Sequence, residues 1–239
     1  MSHPKIKIGM LFAAGLGSRL RPFTNHHPKA LAMVNQKSLL QHNLEYLKKY
    51  GIEKVIINVH HFATQIIDFV QKNDFGIEII ISDEQDEVLE TGGGLIKAKK
   101  YLQDAPFLVM NVDILTDLNL FKLIDFYYQN QVLGVLAVSD RNSSRKLFID
   151  HNNKLVGWKN FSNHETIGST EGLPLAFSGI HVLNPEIFNL ISETGKFSIM
   201  TTYMNLMNKY SILGFNHSGG KLIDVGKPEA IIEAERLFG

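Results

Sequence analysis

Short apolar runs alternate with amphipathic stretches through the first half of this chain. A strand is predicted over Ile6–Ala13, whose apolar run from Met10 to Ala14 breaks at Gly15. Ser38–Tyr50 carries Leu39, Leu40, Leu44 and Leu47 at helical spacing and stops at Gly51. Lys54–Val59 predicts a strand, Phe62–Lys72 a helix with Ile66, Ile67 and Val70 inward, and Ile77–Ile81 a further strand. Gly92–Leu102 reads as a helix behind a glycine run, and Phe107–Val112 as an apolar strand ending in the acid Asp113. Leu118–Gln129 is a helix and Val132–Val138 a strand. This alternation predicts an α/β fold whose sheet is mainly parallel and covered by helices on both faces. Ligands of such sheets bind at the carboxyl ends of the strands, where Gly15, Asp113 and the loop before Gly92 all fall.

From Ser139 onward the pattern changes. Leu147–Asp150 and Lys154–Trp158 predict a hairpin around the turn His151-Asn152-Asn153, and the polar stretch Asn160–Leu173 reads as a loop. Phe177–Leu183 predicts a strand, and Pro185–Ile191 and Ser198–Asn208 predict helices. Ser211–Asn216 and Lys221–Asp224 read as strands flanking Ser218-Gly219-Gly220, and Pro228–Phe238 as a closing helix with proline in its first turn. No repeat or linker interrupts the chain, so one domain spanning residues 1–239 is expected.

Composition narrows the function classes. Lys+Arg and Asp+Glu both number 24, so nothing favours nucleic acid or an anionic membrane as partner. The absence of cysteine removes disulfides, thiolate nucleophiles and thiolate metal ligands, and agrees with a reducing compartment. The opening MSHPKIKIGM is too weakly apolar for a signal peptide and no later stretch reaches membrane-span length, so a cytoplasmic protein is expected. Self-association into a homo-oligomer is left open.

The chemistry concentrates in MLFAAGLGSRLRPFTNHHPKAL, residues 10–31. A strand that empties into Gly15-Leu16-Gly17-Ser18 presents backbone N–H groups at a sheet edge, and such concavities hold phosphate oxygens. Arg19 adds a forked donor for phosphate and Lys29 a movable point charge. It is not a P-loop, since no Gly-Lys-Ser/Thr occurs; Gly195-Lys196 is followed by Phe197 and Gly220-Lys221 by Leu222. Nor is it a dinucleotide fingerprint, because Leu20 stands where a third glycine is needed.

The ordered set Ala14, Gly15, Gly17, Ser18, Arg19, then Pro22 and Thr24, then Pro28 and Lys29, resembles the signature of the sugar-1-phosphate nucleotidyltransferases, the nucleoside-diphosphate-sugar pyrophosphorylases. The resemblance implies a Rossmann-like α/β architecture of the nucleotide-diphospho-sugar transferase (GT-A-like) type. A nucleotide-binding part over about residues 1–138 and a sugar-binding part over about 139–239 would follow. Nucleoside triphosphate and sugar-1-phosphate would be its partners. Ala13, Ala14, Gly15, Gly17 and Ser18 would line the nucleotide, and Arg19, Lys29 and Asp113 would be the catalytic set. Asp113 and Asp224, each ending an apolar strand, match positions where the family holds its catalytic Mg²⁺, a hard ion suited to one or two carboxylates plus phosphate oxygens. The bland alternative for each is an aspartate capping a turn.

Gln85 and Leu89-Glu90-Thr91-Gly92-Gly93-Gly94 resemble the segment that reads the nucleobase, although Glu90 stands where many members have glycine. The Leu-Glu-Thr-Gly-Gly-Gly form is similar to short bacterial enzymes that act on N-acetylmuramate-1-phosphate with UTP, and to some acting on mannose-1-phosphate with GTP. UTP is the favoured nucleotide, GTP the alternative. Phe177-Ser178-Gly179-Ile180 also resembles the muramate type. The family's Glu-Lys-Pro is missing, with Trp158-Lys159-Asn160 near its place, so Lys159 and Glu171 read as solvated charges rather than ligands. Adjacent His26-His27 and His60-His61 cannot face one site from regular structure, and Met200, Tyr203, Met204 and Met207 read as packing. Two other classes remain: a catalytically silent nucleotide-sugar-binding regulator on the same fold, and, more distantly, a hydride-transfer enzyme.

Overall fold

The computed structural model describes residues 6–239; the reading of the opening segment rests partly on residues 1–5, which lie outside the described residues. The first half runs β1 (Ile8–Phe12), β2 (Met33–Val34), β3 (Lys37–Ser38), α1 (Leu39–Lys49), β4 (Lys54–Val59), α2 (Ala63–Lys72) and β5 (Glu78–Asp83). It continues through α3 (Glu90–Lys97), α4 (Lys99–Leu102), β6 (Phe107–Asn111), β7 (Ile114–Thr116), α5 (Leu120–Asn130) and β8 (Gly134–Ser139). The second half holds β9 (Arg145–Ile149), β10 (Leu155–Asn160), β11 (Thr166–Gly168), β12 (Leu173–Leu183), α6 (Ile187–Leu190), α7 (Ile199–Leu206), β13 (Ile212–Asn216), β14 (Leu222–Asp224) and α8 (Pro228–Phe238). No described helix is long and apolar enough to cross a membrane.

Ten strands form one mixed sheet flanked by helices, ordered β11-β10-β9-β12-β6-β1-β4-β5, with β8 joined to β12 and β13 to β8. The expected α/β sheet flanked by helices is present, and it is mixed, with antiparallel pairing as extensive as parallel. Its parallel pairing is confined to β6-β1-β4-β5 and to β8–β13. The long strand β12 runs antiparallel to β6, β8 and β9. Strand direction was not legible because a strand buried on both faces shows the same apolar run in either orientation.

Alternation along the central strands builds two cores. Leu11 and Ala13, Val55 and Ile57, Leu108 and Met110 pack in one cluster, whereas Met10 and Phe12, Ile56, Phe107 and Val109 pack in the other. A third, smaller cluster joins Leu20, Val34, Leu39, Leu115, Ile223 and Val225 beneath α8. Helix α1 starts where Ser38 Oγ accepts from Gln41 N at 3.1 Å, and its Leu39, Leu40, Leu44 and Leu47 are fully buried.

Three local expectations are corrected. The stretch Asn160–Leu173 is not all loop: Thr166–Gly168 pairs with Gly157–Lys159 as an exposed edge strand lacking any apolar alternation that would betray it. Strand β12 begins at Leu173 rather than Phe177, because Leu173–Leu175 pair with Leu147–Ile149. The helix expected from Gly92 starts at Glu90 and divides into α3 and α4. Strands β13 and β14, though neighbours in sequence, do not pair with each other; β13 joins β8 and β14 joins β7.

One buried polar pair has a measurable consequence. His181 on β12 is fully buried with its Nδ1 against the Tyr203 hydroxyl of α7, and burial lowers its pKa from 6.5 to about 3. The folded state thus refuses a proton that the unfolded chain accepts. Its contribution to stability is whole above the unfolded value and is lost as pH falls below it toward the folded value. Unfolding free energy from urea titration should drop by about 2 kcal/mol from this group between about pH 6.5 and about pH 5. His181→Gln should flatten that dependence; identical pH profiles for the two proteins would show that His181 is not held neutral.

Candidate active site

Strand β1 empties into the glycine loop at the carboxyl edge of the sheet. Ala13 N donates to Asn58 Oδ1 at 2.7 Å, and Asn58 Nδ2 donates to Glu84 Oε1 at 2.8 Å, so a buried polar pair supports the loop from below. Burial raises the Glu84 pKa, with the Asn58 bond opposing it. Gly17 has φ 61°, and an added Cβ would stand 2.9 Å from Thr24 Cγ2 and 3.0 Å from Lys29 Cβ. Thr24 Oγ1 donates to Gly17 O at 2.9 Å. The proline–threonine and proline–lysine portions of the motif therefore fold back on the glycine loop and hold its shape. A cavity of about 500 Å³ opens above it, with Ala13, Ala14, Gly15, Gly17 and Ser18 in its wall.

The two aspartates come together through a three-residue strand pair. Antiparallel β7 and β14 place Asp224 opposite Ile114, and Val225 N donates to Asp113 O at 2.8 Å. From the other side, buried Asn43 on α1 donates to Leu39 O and Val112 O, each at 2.9 Å, pinning the backbone just before Asp113. Lys29 Nζ bonds Asp113 Oδ2 directly and lies 3.9 Å from Asp224 Oδ1. Arg19 Nη2 is 4.0 Å from Asp224 Oδ2. Burial, then the negative charge of Asp113, raises the Asp224 pKa, while Lys29 and Arg19 oppose the rise.

Asp224 Oδ1 is buried with no hydrogen-bond partner. A carboxylate oxygen in that state, beside a second carboxylate, suits a hard divalent cation that takes one or two protein carboxylates and fills its shell with phosphate oxygens and water. Among the described residues no group of three or more His, Cys, Asp and Glu side chains gathers around one point.

A second cavity, of about 1040 Å³, adjoins the first. Arg19, Asn111 and Gly226 wall both, whereas Asp113 faces the first and Asp224 the second. The carboxylates thus stand at the boundary between two separate spaces. Gly226 lies close against both charged groups, since an added Cβ would stand 2.7 Å from Asp224 Oδ1 and 2.9 Å from Arg19 Nη2. Two anionic ligands, one in each cavity, would meet over cations and carboxylates at this boundary.

Not every expected residue joins them. Gln85 does not wall the cavity: its side-chain amide turns back to donate to Asp83 Oδ2 at 2.6 Å. Glu90 does wall it, at φ 59°, a left-handed backbone that favours the glycine found in many relatives of the resemblance, and it lies 3.9 Å from Lys196. Gly92, Gly93 and Gly94 lie buried within α3 rather than in a turn. An added Cβ would meet the Phe197 ring at 2.2 Å from Gly92 and Gly195 O at 2.2 Å from Gly93. From Gly94 it would meet Glu84 Oε1 at 2.7 Å. Close packing explains this run.

Lys159 and Glu171 wall neither cavity, and Lys159 lies over the Phe161 ring at 5.2 Å. Neither histidine pair enters a cavity wall; His27 meets Gln65 and His60 meets Glu84 O. Met200 walls the second cavity, while Tyr203, Met204 and Met207 are core. Asn58, Glu84, Lys196 and Arg141 were missed. Asn58 alone left a signal, a polar residue inside the apolar run Val55–Val59.

The packing of α3 is testable. Gly93→Ala should destabilise the protein by about 1–3 kcal/mol, since the clash is with backbone and cannot be relieved by a rotamer change. Thermal denaturation checks it, and an unchanged midpoint would mean the segment 195–198 yields freely.

A family model described as nucleotidyl transferase matches residues 8–148. The N-acetylmuramate alpha-1-phosphate uridylyltransferase of Caulobacter vibrioides is 30% identical over 235 residues, covering 96% of each chain. The protein of the same name from Neisseria meningitidis serogroup B is 32% identical over 244 residues, covering 96% of this chain and 97% of that protein. Among solved structures, HddC from Yersinia pseudotuberculosis complexed with GMP-PN superposes with a TM-score of 0.79 at 25% identity, covering 98% of this chain and all of that one.

Proposed function

Because this chain belongs to the nucleotidyl transferase family, we propose that it is a sugar-1-phosphate nucleotidyltransferase that uses UTP and N-acetylmuramate-1-phosphate. The observation that carries the reading is the meeting of two cavities at Asp113 and Asp224, with Lys29 and Arg19 beside them. The smaller cavity, floored by the glycine loop, takes the triphosphate. The larger, walled mainly by residues after Ser139, takes the sugar phosphate. The choice of uridylyl transfer and of the muramate sugar is supported by two relatives of that name whose lengths this chain spans almost entirely.

In the reaction, an oxygen of the sugar phosphate forms a bond to the α-phosphorus of the triphosphate. The α–β anhydride breaks, and pyrophosphate leaves with the electron pair. A phosphate monoester has a second pKa of about 6, so the nucleophile is ionised near neutrality and no general base is required. The task left to the chain is alignment and neutralisation of gathered negative charge. Lys29, held by Asp113, supplies positive charge at the boundary where the phosphates meet. Arg19, exposed and shared by both cavity walls, is placed to hold the departing pyrophosphate. Asp113 and Asp224 would hold Mg²⁺, which when bound supplies positive charge to both phosphates.

A screen of pyrophosphate release with four nucleoside triphosphates against a panel of sugar-1-phosphates tests the substrate assignment. UTP with N-acetylmuramate-1-phosphate should give the highest kcat/KM. Preference for GTP would transfer the assignment to a guanylyltransferase, the reading favoured by the GMP-PN complex of the Yersinia protein. Nucleotide binding without turnover on any sugar phosphate would instead identify a silent binding protein. Asp113→Asn, isosteric and so expected to fold, should cut turnover by at least about a hundredfold, the scale of losing a major electrostatic stabiliser. Near wild-type turnover in that variant at saturating Mg²⁺ would remove Asp113 from the mechanism.

A further inference from the structure

We propose that Arg141 is the side chain that receives the 1-phosphate of the acceptor in the larger cavity, an inference that rests on reading that cavity as the acceptor site. The argument begins with strand alternation. Strands β9 and β10 pair with Arg145 opposite Asn160, Lys146 opposite Lys159 and Leu147 opposite Trp158. Arg145, Leu147, Trp158 and Asn160 face the cavity, so Lys146 and Lys159 lie on the other side of the sheet. Neither of those lysines can serve a ligand there.

Arg141, from the segment between β8 and β9, does wall the cavity. It is pinned at both ends. Its Nη2 donates to Phe177 O at 2.9 Å, and its own carbonyl accepts from Lys146 Nζ at 2.6 Å. Its Nε is buried with no hydrogen-bond partner, and among the described residues its guanidinium forms no salt bridge. A buried guanidinium donor left unpaired is destabilising unless an acceptor arrives. The charges around it do not supply one. Lys146 is a second cation on the Arg141 carbonyl, its pKa lowered by burial and then by the Arg141 charge, and only Asp140 opposes this. His217, whose pKa burial lowers, feels the charge of Arg141 as well as those of Asp117 and Asp140.

Position decides which anion is meant. Phe177, the anchor of Arg141, lies two residues before Gly179. An added Cβ at Gly179 would stand 2.9 Å from the Asn111 side-chain amide, and Asn111 walls both cavities. Asp224 walls the same cavity as Arg141. Arg141 therefore belongs to the end of the cavity next to the reacting boundary, where the acceptor must present its phosphate. A planar guanidinium matches phosphate oxygens in geometry as well as charge.

The test is binding, measured by calorimetry with a non-hydrolysable UTP analogue present, of two probes: glucose 1-phosphate and N-acetylmuramate-1-phosphate. Arg141→Gln keeps a donor for Phe177 O and should weaken both probes by roughly tenfold or more, as loss of one charge-assisted contact implies. Affinity for the UTP analogue alone should stay within about twofold, and Arg141→Lys should recover much of the loss. Weakening confined to N-acetylmuramate-1-phosphate would mean that Arg141 reads the sugar's carboxylate, and equal loss of nucleotide affinity would mean a structural role. Either result, or no weakening at all, overturns the proposal. If the wild-type protein binds neither probe, the acceptor-site reading itself fails.

Discussion

Two carboxylates more than a hundred residues apart in sequence repel each other when brought side by side, so some other interaction must hold them. Here the antiparallel pairing of Ile114–Thr116 with Leu222–Asp224 fixes their separation through backbone hydrogen bonds, and Leu115, Ile223 and Val225 bury the pair beneath α8. The repulsion is then met by Lys29, bonded to Asp113 and within reach of Asp224. A buried ion pair of this kind adds little net stability. Its importance is positional, because it ties the segment after the glycine loop to the chain's last strand. The two cavities share Arg19, Asn111 and Gly226 beside that tie.

Beneath this arrangement lies a second buried polar contact. Asn58 accepts from the amide that begins the glycine loop and donates to Glu84, whose carboxyl packs against Gly94 of α3. The β1 loop, the end of β4, the end of β5 and helix α3 are thus fastened at one point. The glycines of α3 let that helix approach both this pair and the segment 195–198 more closely than any side chain would allow. Lys196 and Ser198, which wall the smaller cavity, are positioned by that approach. The loop is shaped from below by packing and leaves its upper surface for a ligand.

The larger cavity is a product of sheet geometry. It is walled by one face of β9 and β10, by the middle of β12 and by the start of α8. Alternation sends Trp158 and Asn160 into it and Lys159 away from it. A motif-based carry-over to Lys159 would therefore have placed a cation on the wrong side of the sheet. The positive charge in that wall comes instead from Arg19, Arg141, Arg145 and Lys227, of which Arg141 and Arg145 lie in a segment with no recognisable motif.

What the sequence determined by itself is what depends on neighbours along the chain. The alternation of apolar runs marked most strands and helices of the first half, and the glycine, arginine, proline and lysine order from Ala14 to Lys29 marked the glycine loop that walls the smaller cavity. Both are local patterns: side-chain period and backbone freedom are properties of a few consecutive residues. Asp113 and Asp224 each end an apolar strand and match the family resemblance, but their adjacency is not legible in the sequence, since it comes from a strand pair between distant segments. The same holds for the antiparallel course of β12, the edge strand Thr166–Gly168 and the turning of Gln85 toward Asp83. Asn58, Glu84, Lys196 and Arg141 are polar residues whose roles depend on what is stacked against them. Burial, hydrogen-bond partners and local charge are set by the packed chain as a whole, and only tertiary structure decides them.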